Sequence, residues 1–324
     1  MTIFLTGCAG FVGWKTGELL QKAGHRVVGL DNLNDYYSPK LKAWRIDQLN
    51  SCSPGNFRFV EGDLGNVELL QQLFEEESFD AVINLAARAG VRPSIEQPKL
   101  YVETNLTAAV GLMETMVANG VRKLVQASTS SVYAGQPAPF REDQPVDCPL
   151  SPYAASKKAA EVMAYTFHHL HGLDVSVVRY FTVYGPAGRP DMSPLKFTHR
   201  IAQGKAFPLY GDGEQRRDFT YVDDIASGTI AALKPLGYEI INLGGGNEPL
   251  SINDMIGQLE RHMGKAAIIE RHPFNEADMK DTAADISKAK RLLGWEPETS
   301  PSEGLEALAN WYKQEADWLK DLEI

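Results

Sequence analysis

The chain has 324 residues, of which 44% are hydrophobic and 23% charged, with a formal net charge of −10 at pH 7. A chain of this length can bury one large core or two medium ones, and its composition is that of a globular protein. The negative charge argues against nucleic acid or an anionic membrane as a partner, because there is no excess of Lys and Arg to neutralise phosphates. An anionic substrate would have to be met by a local group of arginines.

Short apolar segments rich in β-branched residues alternate with amphipathic stretches along most of the chain. This alternation is typical of a parallel sheet that is covered by helices on both faces. The predicted fold class is therefore α/β, with a doubly wound parallel Rossmann sheet. The predicted strands are Ile3–Thr6, His25–Leu30, Phe57–Glu61, Ala81–Leu85, Lys123–Ser128, Val175–Arg179 and Glu239–Leu243.

The pattern becomes irregular after Arg179, where prolines interrupt helical stretches and Gly211-Asp-Gly213 marks a turn. We expect a Rossmann domain of residues 1–178 plus about 216–246, and a smaller C-terminal α/β lobe of residues 179–215 plus 247–324. A ligand cleft should lie between them at the carboxyl edge of the sheet. The last predicted helices are Ile252–Met263, Ile286–Leu293 and Ser302–Leu322.

A glycine-rich motif, Gly7-Cys-Ala-Gly10-Phe-Val-Gly13, directly follows the first predicted strand. Glycine allows a sharp turn and a close approach of the backbone to a pyrophosphate, whose charge then faces a helix N-terminus. Asp31 ends the second strand, where a carboxylate accepts hydrogen bonds from the adenosine ribose and repels a 2′-phosphate, which favours NAD over NADP. Asp63, after the third strand, is placed either to meet the adenine or to cap a helix.

Tyr153 and Lys157 form a Tyr-x-x-x-Lys pair in a predicted helix. This spacing puts both side chains on one face, where the lysine charge favours the phenolate and lowers the tyrosine pKa. Such a pair alone is weak evidence, since Lys157 could also be a solvated helix lysine. Together with the glycine-rich loop, the pair indicates a redox site.

The catalytic motifs, read together, are similar to one known family. Tyr153 and Lys157, combined with Thr129 in Gln126-Ala-Ser-Thr129-Ser-Ser-Val-Tyr133, resemble the extended short-chain dehydrogenase/reductase family and, within it, the nucleotide-sugar epimerases and dehydratases. The resemblance covers almost the whole chain. It includes Asn84-Leu-Ala-Ala, Tyr101-Val-Glu-Thr-Asn105, Arg179-Tyr-Phe-Thr-Val-Tyr-Gly185 and Arg217-Asp-Phe-Thr-Tyr-Val-Asp223.

The resemblance implies roles for the catalytic residues. Tyr153 would be the base that removes a sugar hydroxyl proton, Thr129 would hydrogen-bond the same hydroxyl, and Lys157 would hold the nicotinamide ribose. A free tyrosine with a pKa of about 10 needs nearby positive charge to serve as a base near neutral pH. The NAD contacts implied are Gly7, Gly10, Phe11, Val12, Gly13, Asp31, Asn32, Asp63, Leu64, Leu85, Ala86, Ala87, Asn105, Tyr153, Lys157 and Tyr180.

The residues after Thr129 bear on the type of reaction. Dehydratases of the family resemble Ser-Thr-Asp-Glu-Val-Tyr here, and their acidic pair performs the elimination, whereas this chain carries Ser130 and Ser131. UDP-xylose synthases usually carry a glutamate in the same turn. Epimerisation needs only a reversible hydride transfer, so the two serines favour an epimerase.

Two stretches are similar to UDP-glucuronate 4-epimerases. These are Phe181–Met192 and Ala86–Arg92, although Arg88 stands where those enzymes usually have glutamine. Thr182 replaces an asparagine that is common in UDP-galactose 4-epimerases. Phe207 and Tyr210 would contact the uracil unless they belong to the core. The implied substrate contacts are Arg88, Ser130, Ser131, Thr182, Arg189, Phe207, Tyr210, Arg217 and Asp278.

Neither the cysteines nor the histidines predict a metal site. The three cysteines are far apart and form no Cys-x-x-Cys motif, which fits reduced thiols in a cytoplasmic protein. His168, His169 and His171 point in different directions on a helix, and no carboxylate or cysteine completes a site. The sequence shows neither a signal-peptide pattern nor a transmembrane stretch.

The sequence thus predicts an NAD-dependent UDP-sugar 4-epimerase that inverts C4 through a 4-keto intermediate, converting UDP-glucuronate to UDP-galacturonate. The alternatives are a UDP-glucose 4-epimerase acting on UDP-galactose or UDP-N-acetylhexosamines, a dehydratase, a net oxidoreductase, and an inactive dinucleotide sensor. Family members also imply a homodimer formed through helices around Pro98–Asn119 and Pro152–His171, with a monomer as the alternative.

Overall fold

The computed structural model of the chain describes residues 1–246, 249–273 and 281–322. Their strands alternate with helices as the sequence predicts. In chain order the strands are β1 (Thr2–Thr6), β2 (Arg26–Asp31), β3 (Phe57–Glu61), β4 (Ala81–Asn84), β5 (Lys123–Thr129), β6 (Asp174–Tyr180), β7 (Thr182–Tyr184), β8 (Phe207–Tyr210), β9 (Arg216–Arg217), β10 (Phe219–Tyr221), β11 (Tyr238–Leu243), β12 (Leu250–Ser251) and β13 (Ile269–His272).

Helices occupy most of the remaining described residues, together with a π-helical turn at Glu103–Thr107 and a 3₁₀ turn at Ser130–Tyr133. Among the described helices, none is both long and apolar enough to cross a membrane. They are α1 (Phe11–Lys22), α2 (Pro39–Cys52), α3 (Val67–Glu76), α4 (Val91–Glu96), α5 (Pro98–Val102), α6 (Ala108–Ala118), α7 (Pro152–His171), α8 (Ser193–Gln203), α9 (Val222–Ala231), α10 (Ile252–Met263), α11 (Ser287–Leu293), α12 (Pro301–Gln314) and α13 (Ala316–Leu319).

The main sheet has seven parallel strands in the order β11-β6-β5-β4-β1-β2-β3. The predicted α/β fold class is confirmed, and each predicted strand matches its observed counterpart to within one residue at either end. The strand order reverses between β1 and β4, so the crevice at their carboxyl ends is the expected ligand position. Buried side chains connect neighbouring strands near these ends. Thr6 of β1 donates a hydrogen bond to Asn84 of β4 (2.6 Å), and Asn84 donates to Gln126 of β5 (2.9 Å).

Helices cover both faces of this sheet. Successive residues of β1 point to opposite sides, so Leu5 belongs to a core shared with Leu49 of α2, whereas Phe4 belongs to a core shared with Leu112 of α6. Both cores are buried, as the near-continuous apolar strands require. This arrangement is the doubly wound fold that the alternating sequence pattern predicts.

Beyond the main sheet, the described residues form three two-stranded sheets. Strand β7 pairs with β10 and β8 with β13, both in parallel, while β9 pairs with β12 in an antiparallel manner. The predicted helix Ile252–Met263 is observed with the same bounds, and the predicted last helix is divided into α12 and α13. The division of the chain into two lobes at residues 178, 215 and 246 remains a prediction.

Helix α7 is fastened to the sheet by a buried ion pair. Glu161 on α7 accepts hydrogen bonds from Arg179 on β6 at 2.8 and 2.7 Å, and both side chains are only 1% exposed. Ser128 on β5 donates to the same carboxylate (2.6 Å), and Arg179 also donates to the Tyr133 hydroxyl (2.7 Å). The pair therefore joins α7, β5, β6 and the 3₁₀ turn.

Arg179→Met should lower the free energy of unfolding by about 3–5 kcal/mol, because it leaves the Glu161 carboxylate buried without its charged partner. Denaturant unfolding followed by circular dichroism measures this loss. The control is Lys99→Ala, which removes the highly exposed Lys99–Glu103 pair and should leave stability almost unchanged. Equal losses in the two variants would contradict this role for the buried pair.

Candidate active site

The glycine-rich loop is tightly packed between β1 and α1. Gly7 has a φ of +69°, which favours glycine, and a Cβ on Gly13 would lie 2.0 Å from the Gly7 carbonyl oxygen. Gly10 is the N-cap of α1, and no side chain caps its amides. The first turn of α1 also carries no acidic residue. These amides and the helix dipole are arranged to bind an anion such as a pyrophosphate.

Asp31 ends β2 beside this loop. Its carboxylate accepts hydrogen bonds from the amides of Ala9 (3.1 Å) and Leu33 (2.9 Å), which fix its orientation. Farther along, Asn32 donates to Asp63 (2.6 Å). The alternative that Asp63 caps a helix is wrong, because the N-cap of α3 is Asn66, whose side chain accepts from Leu69 N.

A cavity of about 260 Å³ opens along the carboxyl edge of the sheet. Its lining contains all the residues predicted to contact NAD except Asn105, and also Thr129, Arg88 and Arg189. The sequence did not predict that the loop after β2 also contributes to the wall, through Asn34, Tyr36 and Tyr37. The other lining residues are Leu30, Asn34, Tyr36, Tyr37, Lys42, Gly62, Ala89, Thr104, Ala127, Ser128, Phe181, Val183 and Met192.

The three predicted catalytic residues meet at this cavity. Thr129 is the last residue of β5, Tyr153 is the second residue of α7, and Lys157 lies one helical turn later. Thr129 and Tyr153 are joined by a side-chain hydrogen bond. Helix α7 begins here because Ser151 caps the amide of Ala154 and a proline occupies its first turn.

Burial dominates the ionisation of Tyr153 and Lys157. It raises the pKa of Tyr153 above its ordinary value, against the hydrogen bond from Thr129 and the positive charge of Arg189, which lower it. Burial also lowers the pKa of Lys157 to about 8, although the Glu161 carboxylate raises it. Desolvation thus disfavours both charged forms, and the expected lowering of the Tyr153 pKa by Lys157 stays a prediction.

Asn105 lies behind the wall of the cavity, and its assignment as an NAD contact stays a prediction. Its buried side chain accepts from the Arg88 amide (2.8 Å) and donates to the Arg88 carbonyl (2.9 Å) and to Ser156 (3.0 Å). Ser156 in turn donates to the Tyr153 carbonyl (2.8 Å). The π-helical turn that carries Asn105 thus connects the Arg88 backbone with α7.

Two arginines enter the cavity around one aromatic ring. The guanidinium carbons of Arg88 and Arg189 each lie 5.8 Å from the centroid of the Tyr36 ring. Arg189 also forms an ion pair with Asp191, with its Nε 3.0 Å from Oδ1. The cavity therefore carries positive charge on the side where the sequence predicts the sugar.

Three other predicted substrate contacts lie near the cavity but outside its lining. Ser130 and Ser131 form the turn after Thr129, and Thr182 begins β7 after the lining residue Phe181. Their roles as substrate contacts remain predictions. The same holds for Tyr210, Arg217 and Asp278. Tyr210 ends β8 with the Arg92 guanidinium 5.3 Å from its ring, Arg217 lies in β9, and Asp278 is not described.

Phe207 is a core residue, which corrects its assignment as a uracil contact. Its side chain is 0% exposed and stacks on Phe197, with the ring centroids 4.2 Å apart. A ring packed in this way cannot present a face to a ligand. The strand alternates in burial, so its neighbours Pro208 and Tyr210 are the partly exposed residues.

Comparison with known proteins agrees with this geometry. The family model for GDP-mannose 4,6 dehydratase matches residues 4–308. The chain is 58% identical to the UDP-glucuronate 4-epimerase of Thermodesulfobacterium geofontis (strain OPF15), over 99% of this chain and 98% of that protein. The chain belongs to the extended short-chain dehydrogenase/reductase family. Within that family it is a member of the NAD-dependent nucleotide-sugar epimerases and dehydratases.

Solved structures of this family share the fold. A UDP-glucuronic acid 4-epimerase from Bacillus cereus, in complex with UDP-glucuronic acid and NAD, matches with a TM-score of 0.89 and 37% identity, over 97% of this chain and 99% of that one. A UDP-glucose 4-epimerase from Thermotoga maritima, solved with UDP-glucose, matches with a TM-score of 0.86 and 29% identity, over 98% and 100%.

The cavity fits the family cofactor, NAD. The uncapped N-terminus of α1 and the close Gly7–Gly13 packing suit a pyrophosphate, and the Asp31 carboxylate suits a ribose with a free 2′-hydroxyl. Tyr153 and Lys157 on α7 lie in the wall toward the opposite end of the strand edge, beside Thr129 at the end of β5. This chain therefore has the residues needed to hold NAD at both ends.

NAD should bind more tightly than NADP, and Asp31→Ser should reduce this preference ~10-fold or more, because a charge-assisted hydrogen bond and a repulsion of the 2′-phosphate are both lost. Calorimetric titration of cofactor-free protein measures the two affinities. Asp63→Asn is the control, since it removes a carboxylate of the same cavity and should keep the preference. Equal affinities of the wild type for both cofactors would refute the role of Asp31.

Proposed function

We propose that this protein is an NAD-dependent UDP-glucuronate 4-epimerase, which interconverts UDP-glucuronate and UDP-galacturonate through a 4-keto intermediate. One observation carries the proposal: Tyr153, Thr129 and Lys157 share a cavity with the positive charges of Arg88 and Arg189. A tyrosine base can remove the proton of the C4 hydroxyl, and a cation can bind a C5 carboxylate. The relative with 58% identity has the same activity.

The chain's own residues handle the proton of the C4 hydroxyl. When bound, NAD supplies a positively charged acceptor for the C4 hydride. Tyr153 takes the hydroxyl proton, and Thr129, which lowers the Tyr153 pKa from the end of β5, orients the same oxygen. Because burial raises the pKa of Tyr153, positive charge near its oxygen is needed to form the phenolate, and Arg189 provides part of it.

Inversion requires the 4-keto sugar to present its other face before C4 is reduced again. Tyr153 then returns its proton to the new hydroxyl, so the reaction has no net redox change. The 4-keto form of a glucuronate is a β-keto acid that loses carbon dioxide readily. The substrate carboxylate must therefore be held, and Arg189 is a partly buried cation of the cavity that can form a charge-assisted hydrogen bond to it.

Water loss is not part of the proposed activity. Elimination from a nucleotide hexose needs an acid and a base beside C5 and C6, and the turn after Thr129 carries Ser130 and Ser131 there. Serine hydroxyls do not ionise near neutral pH, so they supply neither group. They remain suitable for hydrogen bonds to a carboxylate.

We also propose a homodimer formed through Pro98–Asn119 and Pro152–His171. Val102 lies exposed on the first segment, and Val162 and Tyr165 lie exposed on the second. Light scattering during size-exclusion chromatography tests this assembly, and a monomeric mass would exclude it. A cytoplasmic location also remains a prediction.

Incubation with UDP-glucuronate, followed by NMR identification of the products, tests the function directly. Tyr153→Phe should then reduce turnover by ~10²–10⁴-fold, because it removes the acid–base hydroxyl and keeps the ring. Binding of UDP-glucuronate, measured by calorimetry, should change little. If the variant keeps near-wild-type turnover, Tyr153 is not the base.

Arg189→Ala should reduce kcat/KM for UDP-glucuronate by ~10-fold or more while changing that for UDP-glucose much less, because only the uronate has an anion at C5. Initial rates with both substrates check this. Asp191→Asn is the matched control, since it removes the ion-pair partner of Arg189 and keeps the cation. A wild type that prefers UDP-glucose, or a variant that loses both substrates equally, would favour a UDP-glucose 4-epimerase.

A further inference from the structure

A buried arginine lies behind the cavity with all its nitrogens hydrogen-bonded. Arg45 on α2 is 0% exposed. Its Nη1 donates to the Ala9 carbonyl (2.9 Å) and the Tyr37 hydroxyl (2.6 Å). Its Nε donates to the Ala187 carbonyl (3.2 Å), and its Nη2 donates to the carbonyls of Ala187 (2.7 Å) and Gly188 (3.1 Å). None of these bonds goes to a carboxylate.

These acceptors belong to two functional loops that are far apart in the chain. Ala9 lies inside the glycine-rich loop, and its amide is already held by Asp31. Ala187 and Gly188 directly precede Arg189. Ala187 has a φ of +51°, which is unusual for a residue with a side chain, so this turn must be held by its surroundings. The Arg45 guanidinium is the group that binds both loops.

Stability alone does not explain why an arginine occupies this position. Burying a cation without a carboxylate partner is expensive, and an apolar side chain of similar volume would avoid that cost. A lysine could not replace Arg45, because it lacks the planar set of five donors. Through its hydrogen bonds, Arg45 fixes the distance between the backbone at Ala9 and the backbone at Gly188.

We propose that Arg45 is a positioning residue that holds the Arg189 turn against the glycine-rich loop, and thereby keeps the C5 carboxylate of a bound UDP-uronate out of alignment with the C4 carbonyl. The inference rests on the proposed epimerase function. It assigns the suppression of decarboxylation to a residue that does not line the cavity and does not contact the substrate.

The side reaction follows from the chemistry of a β-keto acid. When the bond between C5 and the carboxylate carbon aligns with the carbonyl π system, it breaks and carbon dioxide leaves. The electron pair forms an enolate over C5 and C4, which takes a proton at C5 and gives a 4-keto pentose. Reduction at C4 then yields a UDP-pentose. As in epimerisation, C4 is oxidised once and reduced once, so there is no net redox change. A looser Arg189 turn should therefore convert epimerisation partly into decarboxylation.

The test compares the products of wild type, Arg45→Lys and Arg45→Met with UDP-glucuronate at saturating NAD. In both variants, the ratio of UDP-pentose to UDP-galacturonate should rise at least ~10-fold, and kcat for epimerisation should fall by up to ~10²-fold, as expected when a reacting group is misplaced by about 1 Å. UDP-glucose turnover should fall less. Gln48→Ala, a change at an exposed position of the same helix, should keep the wild-type product ratio.

Two further measurements separate positioning from folding. The product ratio does not depend on how much enzyme is folded, so partial unfolding cannot imitate the expected shift. NAD affinity, measured by calorimetry, should weaken ~10-fold in Arg45→Met, because the Ala9 carbonyl loses its charged partner. In an Arg189→Ala background, Arg45→Lys should raise the pentose fraction no further.

A wild-type product ratio in both Arg45 variants, with reduced stability only, would overturn the inference and leave Arg45 a purely structural residue. Additive effects of the Arg45 and Arg189 changes would also overturn it. Failure of the proposed function is visible separately, because the wild type would then form no UDP-galacturonate from UDP-glucuronate.

Discussion

The parallel direction of the seven main strands is the constraint on which the site depends. Their carboxyl ends meet along one edge, so residues that follow different strands become neighbours there. The glycine-rich loop follows β1, Asp31 ends β2, and Thr129 ends β5. Because the strand order reverses at β1 and β4, the helices on either side diverge and leave a crevice. The glycine-rich loop and the catalytic residues lie toward the two ends of this crevice.

Within the crevice, desolvation disfavours the charged forms of Tyr153 and Lys157. Burial raises the pKa of Tyr153 and lowers that of Lys157 to about 8, so it favours two neutral side chains where chemistry needs a phenolate and a cation. The protein opposes this tendency with fixed charges. Glu161, held by Arg179, raises the lysine pKa, and Arg189 lowers the tyrosine pKa. The buried ion pair thus supports both the fold and the reactivity of the site.

Under the proposed function, the same charges are the basis for preferring a uronate over a neutral sugar. Family members with a related fold act on different sugars, so the fold alone does not select the substrate. In this chain the selection depends on the cations around Tyr36 and on how rigidly they are held. Arg189 is held by Asp191 and, through the adjoining turn, by Arg45. A rigid cation can bind a carboxylate and also keep it from the reactive alignment.

The sequence by itself determined the features that depend on local pattern. Apolar runs identified every strand of the main sheet, and the spacings of the glycines and of Tyr153 and Lys157 identified the cofactor and catalytic segments. Only the tertiary structure decided that Phe207 lies in the core, that Asn66 and not Asp63 caps α3, and that Arg45 joins two loops. It also decided the direction of the Tyr153 pKa shift. These properties depend on burial and on contacts between residues far apart in the chain, such as Arg45 and Ala187, which no local spacing encodes.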